Sequence, residues 1–226
     1  MRVLVVAPHA DDETLGVGGT IARYADEGHE VFVAIMTGHG DEAPHPLWPK
    51  STWDTVRSEA KEAHAVLGVK ETLFEEVPAV LVSEQALWKL NQITNRVIQD
   101  IKPDVLFVPF LYDLHKDHRE LTHSFSVAWR PCNPVGQRIQ EIYMYETLSE
   151  THWNIPYMEQ GFFPDTMVNI SDYLEKKLEA LRCFKSQIRP FPDARSIEAI
   201  EALAKLRGSQ ISYAAAEGFV TARRIW

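Results

Sequence analysis

Val3-Leu4-Val5-Val6-Ala7-Pro8-His9-Ala10-Asp11-Asp12-Glu13-Thr14-Leu15-Gly16 is the stretch on which the reading of this chain turns. Residues Arg2–Ala7 form an apolar run without alternation, the pattern of a strand buried on both faces of a parallel sheet, and Pro8 ends it. One imidazole and three carboxylates follow at once, in His9–Glu13. Acids packed that tightly repel each other, so one stays protonated, the loop splays, or a positive charge sits among them. A bound cation is the simplest remedy.

Strand and helix patterns alternate outward from this point. Leu15, Ile21, Ala22 and Ala25 recur near helical spacing over residues 14–27, and Gly28 supplies a stop. Residues 31–36 read as a second buried strand, and Thr37-Gly38-His39-Gly40 as a loop at the carboxyl edge of the sheet. Residues 41–51, rich in proline and acid, read as too irregular for a regular element and as a candidate lid beside a site. Helical patterns over 53–67 and 84–100, a short strand at 71–74 and a buried strand at 105–108 continue the alternation. A helix over 121–129, strands at 139–145 and 166–170, a helix capped by Ser171 and running to Phe184, and a last helix over 197–206 complete it. No repeat or linker divides the chain, so one domain over 1–226 is expected. The pattern predicts an α/β fold: an open, mostly parallel sheet with helices on both faces.

Composition bounds the function. With 226 residues, 45% of them hydrophobic, the chain can bury a substantial core. A net charge of -9 with no compensating basic cluster argues against nucleic acid as a partner. Arg223-Arg224 reads as a solvated end. Cys132 and Cys183 stand in no metal-ligand or redox spacing, which fits a reducing compartment. Neither a signal peptide nor a bilayer-length apolar run is present, so the expectation is a cytoplasmic protein with no membrane partner.

A second polar cluster, Tyr112-Asp113-Leu114-His115-Lys116-Asp117-His118, follows the strand at 105–108. Ligands of open α/β sheets bind beyond the carboxyl ends of the strands, so the two clusters are expected to meet. His9, Asp12 and His118 together offer two imidazole nitrogens and one carboxylate, the donor set of a catalytic zinc that keeps a position for water. Such a site favours hydrolysis. Asp11 is then placed to act as general base, and His115 to polarise the substrate, its imidazolium form favoured if Asp117 or another acid hydrogen-bonds its ring. His29, His39, His45, His64, His123 and His152 read as surface or core residues, although the loops of His39 and His45 face the same edge. Gly16-Val17-Gly18-Gly19 suggests a dinucleotide loop, but acids at the strand end would repel phosphate, so the glycines read as packing residues and no nucleotide cofactor is expected. Trp48, Trp53, Trp88 and Tyr112 are candidates for an aromatic substrate pocket, though aromatic residues beside helices also serve as core.

Pro8-His9-Ala10-Asp11-Asp12-Glu13 together with His115-Lys116-Asp117-His118 resembles the PIG-L/LmbE family of zinc-dependent N-deacetylases. The resemblance extends to Gly19-Thr20-Ile21, Arg57-Ser58-Glu59, Ser186-Gln187 and Glu217-Gly218-Phe219. It implies a Rossmann-like fold, one zinc per chain and removal of acetyl from an N-acetylated amino sugar or its conjugate. It further implies His9, Asp12 and His118 as ligands, Asp11 as base, His115 as polarising residue and Arg57 as a contact for substrate hydroxyls. Many sugar-acting members carry an acid after the third strand, where this chain has Val77-Pro78-Ala79. A small N-acetylated substrate is the expected partner, and a homo-oligomer is compatible with the sequence. The competing readings are a member acting on another small amide, a binding module that retains the metal without turnover, and a magnesium-dependent phosphoryl hydrolase, which the histidines disfavour.

Overall fold

A computed structural model describes residues 1–41, 45–155 and 157–226. The elements in order are β1 (Arg2–Ala7), α1 (Asp12–Asp26), β2 (Glu30–Gly38), α2 (Lys50–Leu67), β3 (Glu71–Pro78), α3 (Leu87–Ile101), β4 (Val105–Pro109), α4 (Lys116–Ala128), α5 (Pro134–Arg138), β5 (Glu141–Tyr145), α6 (Leu148–Thr151), β6 (Thr166–Asn169), α7 (Leu174–Cys183), α8 (Ile197–Ser209) and β7 (Ala216–Arg224). The strands form a seven-stranded sheet in the order β3-β2-β1-β4-β5-β7-β6. The first five run parallel, and β7 lies antiparallel to both β5 and β6. This is the expected α/β architecture.

Alternate residues of the central strands feed two cores. Val3, Val5 and Ala7 of β1 pack with α1, α2 and α7, while Leu4 and Val6 pack with α3 and α4. Helices therefore cover both faces, which is why β1, β2 and β4 are apolar without alternation. The chain leaves β1 toward β2 on one side and returns to β4 on the other. The carboxyl ends of β1 and β4 thus flank the point where strand order reverses.

Several elements differ from expectation, among them the short helices α5 and α6, which the sequence pattern does not announce. The third strand continues to Pro78, because its outer half pairs with Thr37 and Gly38 of β2. Helix α4 begins at Lys116 rather than at residue 121, so His118 occupies its first turn and His115 is its N-cap. Strand β7 was not foreseen: it mixes Glu217, Gly218 and two arginines with its apolar residues, and pairing to β5 and β6 organises it rather than an apolar run. Arg223 is consequently no solvated end, since its guanidinium donates to Trp129 O at 2.7 Å and Gly136 O at 2.8 Å.

Residues Glu42, Ala43 and Pro44, within the stretch read as a candidate lid, lie outside the described residues. Residues 50–51 of that stretch belong to α2, and His45 is buried with its Nε2 at 2.9 Å from Ala79 O. Among the described residues, no helix is long and apolar enough to cross a membrane.

Candidate metal centre and active site

The loop after β1 reaches α1 through Asp11, the N-cap, whose backbone stands at φ 139° and ψ -26°. Its carbonyl accepts from the Thr14 and Leu15 N–H groups and so starts the helix. A conformation of this kind in a residue with a side chain costs about 1–3 kcal/mol. The Asp11 N–H donates to Glu13 Oε2 at 3.2 Å, and a hydrogen bond contributes about 0.5–1.5 kcal/mol, which offsets part of the strain.

The loop after β4 delivers the other half. Asp12 Oδ2 accepts from the His9 N–H at 2.9 Å and stands 3.3 Å from His9 Nδ1 and 3.1 Å from His118 Nε2. One donor atom each from His9, Asp12 and His118 lies within 4.8 Å of the others, and His9, His115 and Asp117 form a second group meeting the same distance. Asp11 Oδ2, Asp12 Oδ1 and His118 Nε2 are buried without a hydrogen-bond partner. A carboxylate oxygen of Asp12 and an imidazole nitrogen of His118 left without hydrogen bonds, in a group whose donor atoms lie this close, are costly unless a cation joins them, so the side chains of His9, Asp12 and His118 fit a metal ion.

Surrounding groups orient this set. Asp113 Oδ2 lies 2.8 Å from His118 Nδ1, and Asp113 Oδ1 accepts from the Thr151 hydroxyl at 2.6 Å. A carboxylate on the far nitrogen turns the near one toward a metal. Asp117 does the same for His9: its Oδ2 is 3.0 Å from His9 Nε2 and also accepts the Val80 N–H at 2.6 Å. Toward His115 it uses its backbone. The Asp117 backbone N–H donates to His115 Nδ1 at 3.1 Å, while its carboxylate stays 4.0 Å away.

The electrostatics follow from burial and these partners. Burial pulls the imidazoles down, but Asp117 and Asp12 raise His9 to about 9, and Asp12 with Asp113 holds His118 well above its ordinary value. Burial pushes Asp12 up, yet His118 and His9 keep it well below the usual carboxylate range. Asp11 is raised to about 7 by burial, opposed by Arg195 and reinforced by Asp12 and Glu13. His115 is lowered to about 4 by burial and by His9. The ring is therefore neutral, with Nδ1 accepting and the proton on Nε2, and the condition that would favour the imidazolium, an Asp117 carboxylate on the ring, is not met.

A cavity of about 280 Å³ opens over His9, Asp11 and His115, with Arg57, Trp48, Trp53, Val80, Gln187 and Arg195 among its other lining residues. Arg57 is bound to Glu76 Oε1 at 2.5 Å and to Glu75 O at 3.1 Å. Trp48 and Trp53 pack edge to face at 6.1 Å. Tyr112 packs on Phe110 at 5.6 Å and does not line this cavity, and Trp88 is exposed on α3.

Sequence reasoning did not single out Asp113, His64 or Arg195 for this site. Asp113 had a local signal, an acid five positions before His118 in the same loop. Arg195 had none: it arrives from the segment between α7 and α8, with its guanidinium 3.5 Å from Asp11 Oδ2 and 3.6 Å from Glu150 Oε1. His64, read as a surface or core residue, is buried with its Nε2 at 3.1 Å from Glu13 Oε1.

Residues 4–129 match the family model described as "PIG-L: GlcNAc-PI de-N-acetylase". The diacetylchitobiose deacetylase of Thermococcus kodakarensis is 26% identical over 212 residues, covering 85% of this chain and 71% of its own. The 4-oxalmesaconate hydratase of Pseudomonas putida is 24% identical over 202 residues, covering 81% and 73%. The conserved protein TT1542 of Thermus thermophilus shares the fold at a TM-score of 0.78 and 23% identity, over 99% of this chain and 96% of that one. Because the family model spans more than half of its 226 residues and includes both polar clusters, the chain belongs to the PIG-L family of de-N-acetylases.

Proposed function

We propose that this protein hydrolyses the acetamide of an N-acetylated amino sugar or its conjugate, with one zinc ion per chain, releasing acetate and a free amine. What carries the reading is that donor atoms of His9, Asp12 and His118 come together while His9, Asp11 and His115 line one cavity. His9, Asp12 and His118 would hold the ion. Bound there, it supplies a Lewis acid and acidifies a water molecule at neutral pH.

The chain's own groups account for the proton traffic. Asp11, raised to about 7, accepts a proton from the attacking water and returns it to the nitrogen as the C–N bond breaks. His115 donates its Nε2–H to the amide oxygen as negative charge develops there, and neutrality suits it to that role. Asp117 positions both histidines, His9 through its carboxylate and His115 through its N–H. Arg57 and Gln187 face the cavity where substrate hydroxyls would lie. Tyr112 contacts substrate only if the substrate extends beyond this cavity.

The hydratase relative supports a second reading, addition of water across a carbon–carbon double bond by the same acid and base. The test is metal analysis of the purified protein with acetate release measured on a panel of N-acetylated amino sugars, beside hydration of an unsaturated tricarboxylate. Expected are one zinc per chain and acetate release that a chelator abolishes and zinc restores. Magnesium in place of zinc, zinc without turnover on any acetamide, or hydration alone would overturn it.

A further inference from the structure

The strained backbone of Asp11 is held from behind by a buried chain that leaves the active site altogether. Glu13 Oε2 accepts the Asp11 N–H at 3.2 Å, and Glu13 Oε1 accepts the Thr14 hydroxyl at 2.7 Å. That same Oε1 is 3.1 Å from His64 Nε2, and His64 Nδ1 is 2.7 Å from Thr72 Oγ1. Glu13 is fully closed to solvent and His64 nearly so. The chain therefore links α1, the C-terminal half of α2 and the start of β3.

With the Thr72 hydroxyl donating to Nδ1, the His64 ring carries its proton on Nε2 and gives it to Glu13. Glu13 then has each oxygen committed: one to the backbone of Asp11, the other to the hydroxyl and the imidazole. A carboxylate so tied cannot swing away from the Asp11 N–H. Without the imidazole, Glu13 keeps only donors from its own turn, and nothing outside α1 sets its direction.

We propose that His64, acting through Glu13, is a positioning residue that holds Asp11 in the backbone conformation from which its carboxylate faces the metal ligands and the cavity. It touches neither substrate nor metal. The proposal rests on the reading of Asp11 as the general base, and it predicts an effect on turnover without an effect on binding.

The experiment compares His64→Leu, which fills a similar volume without a donor, with His64→Gln, whose amide can still donate to Glu13. Expected for His64→Leu are a kcat lower by about tenfold or more, a KM within about twofold of wild type, unchanged zinc content, and a relaxed Asp11 φ in its crystal structure. Expected for His64→Gln are kcat within about threefold of wild type and an unaltered Asp11 φ. A His64→Leu protein with Asp11 still near φ 139° overturns the proposal, whatever its activity. So does a relaxed Asp11 with full kcat. If wild type itself releases no acetate, the deacetylase reading fails, and the two crystal structures still decide whether His64 positions Asp11.

Discussion

Asp113 Oδ2 lies 2.8 Å from His118 Nδ1, with both side chains closed off from solvent. The pairing leaves His118 Nε2 directed at Asp12 and makes Asp113 the group that orients one proposed ligand without being one itself. Asp113→Ala is expected to weaken zinc binding about 10–100-fold, as loss of such a partner does at other metal sites. Competition against a chelator measures it, and an unchanged dissociation constant would show that His118 needs no orienting carboxylate.

Asp11 and Asp12 are neighbours with opposite electrostatics, Asp11 raised to about 7 and Asp12 held well below the usual range. Asp11→Asn is expected to keep its zinc and lose about a hundredfold to ten-thousandfold in acetate release. Metal analysis and single-turnover kinetics on the same sample check both halves. Joint loss of metal and activity would make Asp11 a ligand.

Glu146 is buried between Arg207, whose two nitrogens each lie 2.7 Å from its oxygens, and His152 at 2.7 Å. Burial pushes its carboxyl up, but the hydrogen bonds from His152 and Arg207 outweigh it, and the group titrates below its ordinary 4.5. A depressed carboxylate contributes stability that is present above about pH 4.5 and lost as pH falls through the folded value. Glu146→Gln is therefore expected to cost about 3 kcal/mol at neutral pH, because it leaves Arg207 buried without its partner. The gap to wild type should narrow below pH 4.5 in denaturant titrations. A gap independent of pH would assign the cost to packing.

Gly16 lies on α1 where the helix crosses the end of β5. A Cβ there would stand 2.8 Å from Glu146 O and would strike the Tyr145 ring, which cannot turn aside because its hydroxyl donates to Val6 O at 2.9 Å. Gly16→Ala is expected to destabilise the fold by about 1–3 kcal/mol. For a chain of this size that is a fall in Tm of roughly 2–4 °C per kcal/mol, read by calorimetry. No change in Tm would mean that α1 shifts freely over the sheet.

The central strands could be read from the chain because burial on both faces demands unbroken apolar runs, which β1, β2 and β4 supply. Strand β7 could not, since a glutamate, a glycine and arginines sit among its apolar residues. Glu217 in fact turns inward, accepting the Gly19 and Thr20 N–H groups and pairing with buried Lys177 at 2.6 Å. No local pattern announces a charge that is satisfied by a helix some 200 positions away.

By itself the sequence determined which chemistry is available and at which edge it stands: two polar clusters, each directly after a buried strand of a parallel sheet, must emerge on the same side. Only the tertiary structure decided what each group does there. Whether Asp117 meets His115 through its carboxylate or its N–H depends on α4 beginning at Lys116. Asp11 is raised toward neutral by burial, with Arg195 opposing from a distant segment, and its strained backbone is met by Glu13, which His64 of another helix contacts. Ligand identity is a property of residue type and spacing, whereas protonation and aim are set by burial and by partners that the chain brings in from a distance.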